Sequence, residues 1–137
     1  MMLQRISAFL CEPGKLDKDT LFERFLQQYA SDKQVESEVK ELPFNRGALL
    51  KISIKGYWIS LNYLTDGIDE HLAKVESVVG ALAPQPLKPY CELRALFAPD
   101  ERADFYAYTA KTLEFLQGLP NAVIYDTENE QVIALTV

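Results

Sequence analysis

The chain has one histidine and two cysteines, and this scarcity removes the commonest metal chemistries. His71, Cys11 and Cys91 cannot make a His-x-x-x-His, His-Glu-x-x-His or Cys-x-x-Cys spacing, so only carboxylates remain as ligands around a single imidazole. Neither G-x-G-x-x-G nor the P-loop pattern occurs, and the six glycines are scattered at turns, which leaves a nucleotide cofactor without a cradle. No window approaches the ~18 apolar residues of a membrane helix. The apolar stretch in "MMLQRISAFLCEP" is too short and too mixed with polar residues for a signal peptide. These absences point to a cytoplasmic protein with no cofactor, no bound metal and no membrane partner.

Positive charge is also in short supply. Fourteen Lys and Arg against twenty Asp and Glu leave a net charge of −6 over 137 residues, which disfavours nucleic acid as a partner, because phosphate is bound by neutralising cations. From Pro99 onward the acids Asp100, Glu101, Asp104, Glu114, Asp126, Glu128 and Glu130 face only Arg102 and Lys111. A basic protein is the expected partner, bound by a monomer or a homodimer. Nothing suggests disorder, since 48% of residues are hydrophobic and 25% charged. Cys11 and Cys91 each lie in an apolar strand-like run and read as buried free thiols.

Periodicity supplies the elements. Leu3 to Cys11 alternates as a strand with one apolar face, ending at "EPGK". Leu21, Phe22, Phe25, Leu26 and Tyr29 have the spacing of a helix face, with Thr20 and Glu23 as a capping box and Asp17 and Asp19 at its positive end. Residues 31–42 fit a helix through Val35, Val39 and Leu42 or an edge strand closed by Pro43, and the extended reading is preferred. "ALLKISIKGYWISLNYLT" is a hairpin turning at Lys55-Gly56, where glycine accepts positive φ. A helix over 67–82 buries Ile68, Leu72, Val75, Val79 and Leu82 and stops at the proline-bearing "APQPLKP". A strand from Tyr90 to Phe97, a helix from about Glu101 to Gln117 and two last strands, Ala122 to Tyr125 and Val132 to Val137, complete the chain.

The elements form a single α+β domain over 1–137, a two-layer sandwich of a mostly antiparallel sheet with three helices on one face. It also reads as two strand-helix-hairpin halves, 1–66 and 84–137, bridged by the helix 67–82. An internal duplication and a chance repeat of a common unit both account for that pattern.

Candidate chemistry is thin. His71 in "TDGIDEHLAKVE" has Asp66, Asp69 and Glu70 nearby to orient it, but first-turn acids also serve the helix dipole. No catalytic residue is assigned, and the chain is expected not to be an enzyme. The tip "DTENEQ" has acids at alternate positions but lacks the glycine and downstream Glu of a calcium loop. The aromatics Tyr57, Trp58, Tyr63, Phe105, Tyr106 and Tyr108 exceed what one core face takes, so either helices cover both faces or the aromatics close the ends of the core, or Trp58 and Tyr106 are candidate interface anchors or the lining of an apolar pocket. Asp100, Glu101, Asp104, Asp126, Glu128 and Glu130 are candidates for a negative surface that steers a basic partner.

The stretch "LPNAVIYDTENEQVI", a helix end, a strand closing on Tyr-Asp, an acidic turn and a returning strand, resembles the C-terminal portion of small cytosolic α+β immunity proteins that neutralise bacterial toxins. That resemblance implies stoichiometric binding of a basic toxin or effector domain, with Asp126, Glu128 and Glu130 carried over. The repeated strand-helix-hairpin unit is similar instead to effector-binding domains of some bacterial regulators, which implies a small molecule held between the halves by aromatics and a buried Glu, for which Glu92 is the candidate.

Overall fold

In a computed structural model, which describes residues 5–41, 43 and 47–136, the elements are β1 (Arg5–Cys11), α1 (Lys18–Gln27), β2 (Glu36–Glu41), β3 (Gly47–Ile54), β4 (Tyr57–Leu64), α2 (Ile68–Val79), β5 (Pro89–Phe97), α3 (Tyr106–Gln117), β6 (Ala122–Asp126) and β7 (Gln131–Leu135). The chain is α+β as expected, with one seven-stranded sheet in the order β2-β3-β4-β5-β1-β6-β7. Every neighbouring pair is antiparallel. Leu3, Gln4, Leu42 and Val137, which the sequence places in strands or a helix face, lie outside the described residues.

Alternation assigns the two faces. Ile6, Ala8 and Leu10 of β1 share a face with Leu50, Ile52, Ile59, Leu61, Leu93, Ala95 and Ile124, and this face takes Leu21, Phe22 and Phe25 of α1 and Leu116 of α3. β1 was expected to have one apolar side, yet everything from Ile6 to Cys11 is buried. The reason is its central position: Phe9, on the opposite face, packs with Leu72 and Val75 of α2 and with Val123 and Tyr125 of β6. α1 and α3 thus form the expected second layer, while α2 crosses the other face of the sheet over β5, β1 and β6. Beyond α2, Lys51, Ser53, Trp58 and Asn62 on that face of β3 and β4 are only half-buried, while Ser60 between them is buried.

Several ends shift for local reasons. α1 is capped by Asp17, whose carboxylate accepts from Thr20 N at 2.7 Å, one turn before the expected Thr20 cap. α3 begins at Tyr106 and not near Glu101, because the Asp100 carboxylate takes the Asp104 and Phe105 N–H groups at 3.0 Å each and Ala103 turns left-handed at φ 57°. The stretch after Ser31 adopts the extended alternative as β2. The β3–β4 hairpin turns on Lys55 (φ 49°) and Gly56 (φ 85°), two left-handed residues as a tight primed turn requires. At the other end of the hairpin Gly47 (φ 136°) lies so close to β4 that a Cβ there would meet the Tyr63 carbonyl oxygen at 1.8 Å.

Candidate functional site

β4 begins where β5 and β6 finish, so the residues flanking those strand ends gather at one end of the sheet. Trp58 stands at the start of β4, the Asp100–Tyr106 segment follows β5, and the 127–130 turn follows β6. In the order β4-β5-β1-β6 the span from Trp58 to that turn is three strand spacings, about 14 Å. Residues from separate parts of the sequence are therefore brought to the surface at one end of the sheet, with Trp58 on the face that α2 crosses and α3 on the opposite face. Trp58 is half-buried, with Lys51 Nζ 5.8 Å from its ring centre. Behind the surface Tyr57 stacks on Phe105 (4.6 Å between centres, 5° between planes) and Tyr29 on Tyr108 (5.8 Å), which holds the start of α3 to the sheet. Tyr106 turns away from this stack and is 68% exposed.

The acidic candidates divide into two kinds. Glu101, Asp104, Glu128 and Glu130 are exposed. Asp126 is corrected: it is 0% exposed, with its carboxylate accepting from Glu128 N at 2.9 Å, Asn129 N at 3.1 Å and Asn129 Nδ2 at 2.7 Å. It shapes the turn and has no oxygen facing a partner, since a side chain that satisfies two backbone N–H groups of a tight loop is drawn inside it. Asp100 likewise closes the loop before α3. Sequence reasoning missed Asp32 at this end. It accepts the Tyr108 hydroxyl at 2.8 Å, and that bond, with the Gln34 N–H, holds its carboxyl below the usual carboxylate range. Arg5, Lys55 and Arg102 border the same end, so its charge is not uniformly negative.

A second constellation lies under α2. Glu92 on β5 is 1% exposed and accepts from Ser7 Oγ (2.7 Å), His71 Nδ1 (2.9 Å) and Arg94 Nε (3.0 Å). Burial alone would push this carboxyl up, but the His71, Arg94 and Ser7 hydrogen bonds outweigh it and hold the group below its usual value. An ionised carboxylate only accepts, so Nδ1 of His71 carries the proton. Register explains the assembly: Ser7 faces Arg94 and Phe9 faces Glu92 across β1 and β5, while the His71 ring meets the edge of Phe9 at 5.0 Å. Asp66, Asp69 and Glu70 were groups that could orient His71, beside a reading of it as a solvated or capping residue; its side-chain partner is Glu92. The Ser7 hydroxyl donates to the carboxylate, not to the imidazole, so Ser7 is not aligned for activation by His71. The cluster ties α2 to the sheet.

Of the aromatic candidates, Tyr57, Phe105 and Tyr108 pack in ring contacts with one another and with Tyr29, whereas Trp58 and Tyr106 stand outside these contacts. A groove of about 450 Å³ between α1 and β2 and another of about 540 Å³ beside β7 both lie away from these two constellations. Among the described residues, no group of three or more His, Cys, Asp and Glu side chains is placed to hold a metal ion, and no helix is long and apolar enough to cross a membrane. No family model matches the chain, and neither a curated protein nor a solved structure matches it.

Proposed function

We propose that this chain is a non-catalytic, cytoplasmic protein-binding module, an immunity-type inhibitor that docks a basic toxin or effector domain on the sheet end bearing Trp58, Glu101, Asp104, Tyr106, Glu128 and Glu130. The observation that supports it is Tyr106, a large aromatic 68% exposed among exposed carboxylates. Interfaces favour this anatomy, an aromatic anchor that becomes desolvated within a rim of charge that speeds encounter. The partner's Arg and Lys pair with the rim, and the bound module covers or distorts its active site. The small-molecule reading draws little support, because the Glu92 carboxylate that would greet a ligand is already occupied by three donors of its own chain.

The test is capture from the native cell's lysate on the tagged protein at low and high salt, read by mass spectrometry. The wild type is expected to recover one basic protein stoichiometrically and to lose it with added salt. Tyr106→Ala, and the joint change Glu101→Gln, Asp104→Asn, Glu128→Gln and Glu130→Gln, should lose that protein at low salt. Equal recovery by wild type and variants at both salts, or no basic protein at all, overturns the proposal.

A further inference from the structure

Among the described residues β2 and β7 bound the sheet, and each turns one row of backbone N–H and C=O groups away from it. On β2 the neighbouring hairpin decides which groups these are. Its two-residue turn closes on Ile54 and Tyr57 as a hydrogen-bonded pair, so Ile54, Ile52 and Leu50 bond to β4, while Ser53, Lys51 and Leu49 bond to β2. The Trp58 carbonyl agrees with that alternation, since it accepts from Ala98 N at 3.0 Å on the β5 side. The residues facing Ser53, Lys51 and Leu49 are Glu36, Glu38 and Lys40, which leaves the backbone of Ser37, Val39 and Glu41 pointing outward. Val39 is 51% exposed, and its side chain borders the groove of about 450 Å³ formed with Phe22, Leu26 and Ala30 of α1.

We propose that a second copy of this chain adds antiparallel to β2, Val39 opposite Val39, to form a closed two-fold dimer. Outward residues pair only with outward residues, so the two strands overlap well only when centred on Glu38, Val39 or Lys40. The Val39 register sets each Glu38 against Lys40 of the other copy and each Glu41 against the neutral Ser37. Centring on Glu38 also pairs Glu36 with Lys40 but puts two carboxylates on the axis, and centring on Lys40 puts two ammonium groups there. A charged edge repels an added strand when like charges meet, and of the three registers only the Val39 one avoids that. Glu38 and Lys40 lie 3.0 Å apart within a chain, so the seam carries four charges of alternating sign. Glu41 keeps its 2.7 Å bond to Lys18. Across the axis the two valines cover each other and the two grooves join, bordered in the layer above by Asp19 and Glu23 of each α1. β7, "QVIAL", has no charge with which to choose a register. The seam uses none of Trp58, Glu101, Asp104, Tyr106, Glu128 and Glu130, so it stands apart from the partner surface proposed above.

About six backbone hydrogen bonds and one valine pair fall short of the ~1,600 Å² of a standard interface, which places the dissociation constant at roughly 10–100 μM. Sedimentation equilibrium on the full chain from about 5 to 500 μM brackets that range. The wild type should rise toward twice 15.6 kDa. Lys40→Glu should weaken the dimer about tenfold or more, because both pairs between positions 38 and 40 become repulsive. An equimolar mixture of Lys40→Glu with Glu38→Lys should restore it, because both pairs become attractive again. Hydrogen exchange of the wild type gives a reading that needs no variant: the Ser37, Val39 and Glu41 amides should gain protection with concentration, and the β7 amides should not. A wild type that stays monomeric throughout, a Lys40→Glu chain that dimerises as tightly, a mixture that stays monomeric, or protection that rises on β7 overturns the proposal.

Discussion

Replacing Glu92 by alanine should destabilise the fold by about 3 kcal/mol, through the partners it leaves behind. Ser7 is fully buried and loses its acceptor, which costs about 1–2 kcal/mol. The His71 and Arg94 side chains are 26% and 31% exposed and regain water, so each lost bond is reduced to roughly 0.5–1 kcal/mol. The space vacated adds about 1 kcal/mol, and removing a buried charge returns about as much. For a chain of 137 residues the net corresponds to a fall in Tm of roughly 10 °C. Urea unfolding followed by the fluorescence of Trp58, the single tryptophan, and by circular dichroism would measure it. The pH dependence supplies a second reading. The folded carboxyl titrates below its ordinary 4.5, so the unfolded chain takes up the proton first as acid is added. The stability from this group is full above that ordinary value and is lost as pH falls through the folded one. Glu92→Ala should therefore show a flatter acid limb. A variant within about 0.5 kcal/mol of wild type, the range of a neutral surface change, would refute the tethering role.

Three further outcomes are expected. Gly47→Ala should cost about 3 kcal/mol or more in urea unfolding, because its Cβ would meet backbone at 1.8 Å, whereas Gly56→Ala, with open space around it, should cost only the 1–2 kcal/mol or so of a left-handed residue; equal costs would contradict the geometry. Asp126→Ala should lose roughly 2 kcal/mol while Glu128→Ala and Glu130→Ala change stability by less than about 0.5, so a neutral Asp126→Ala would return that residue to the surface group. Burial pushes the Cys11 and Cys91 thiols up to about 11 and about 12, so at pH 8 a thiol-disulfide reagent should label both only as the chain unfolds; rapid labelling of the native protein would count against their burial.

The sequence by itself determined what depends on neighbours a few residues away. Leu21, Phe22 and Phe25 read as a helix face because a helix repeats every 3.6 residues, and Lys55-Gly56 read as a hairpin turn because few residues tolerate positive φ. The exposure of Tyr106 was legible in the same way, from its rotation away from Phe105 and Tyr108. Asp126 was misjudged because an alternating acidic run looks the same whether its first carboxylate points outward or closes the turn. Only the tertiary structure decided that β1 inserts between β5 and β6, which buries both of its faces and carries α2 to the far side of the sheet. The same insertion set Ser7 against a carboxylate 85 residues away and His71 against one 21 residues away. Hydrophobic periodicity tells each strand which side to bury, but strand order comes from the joint packing of all the elements. Contacts made across that order are therefore invisible until the sheet is assembled.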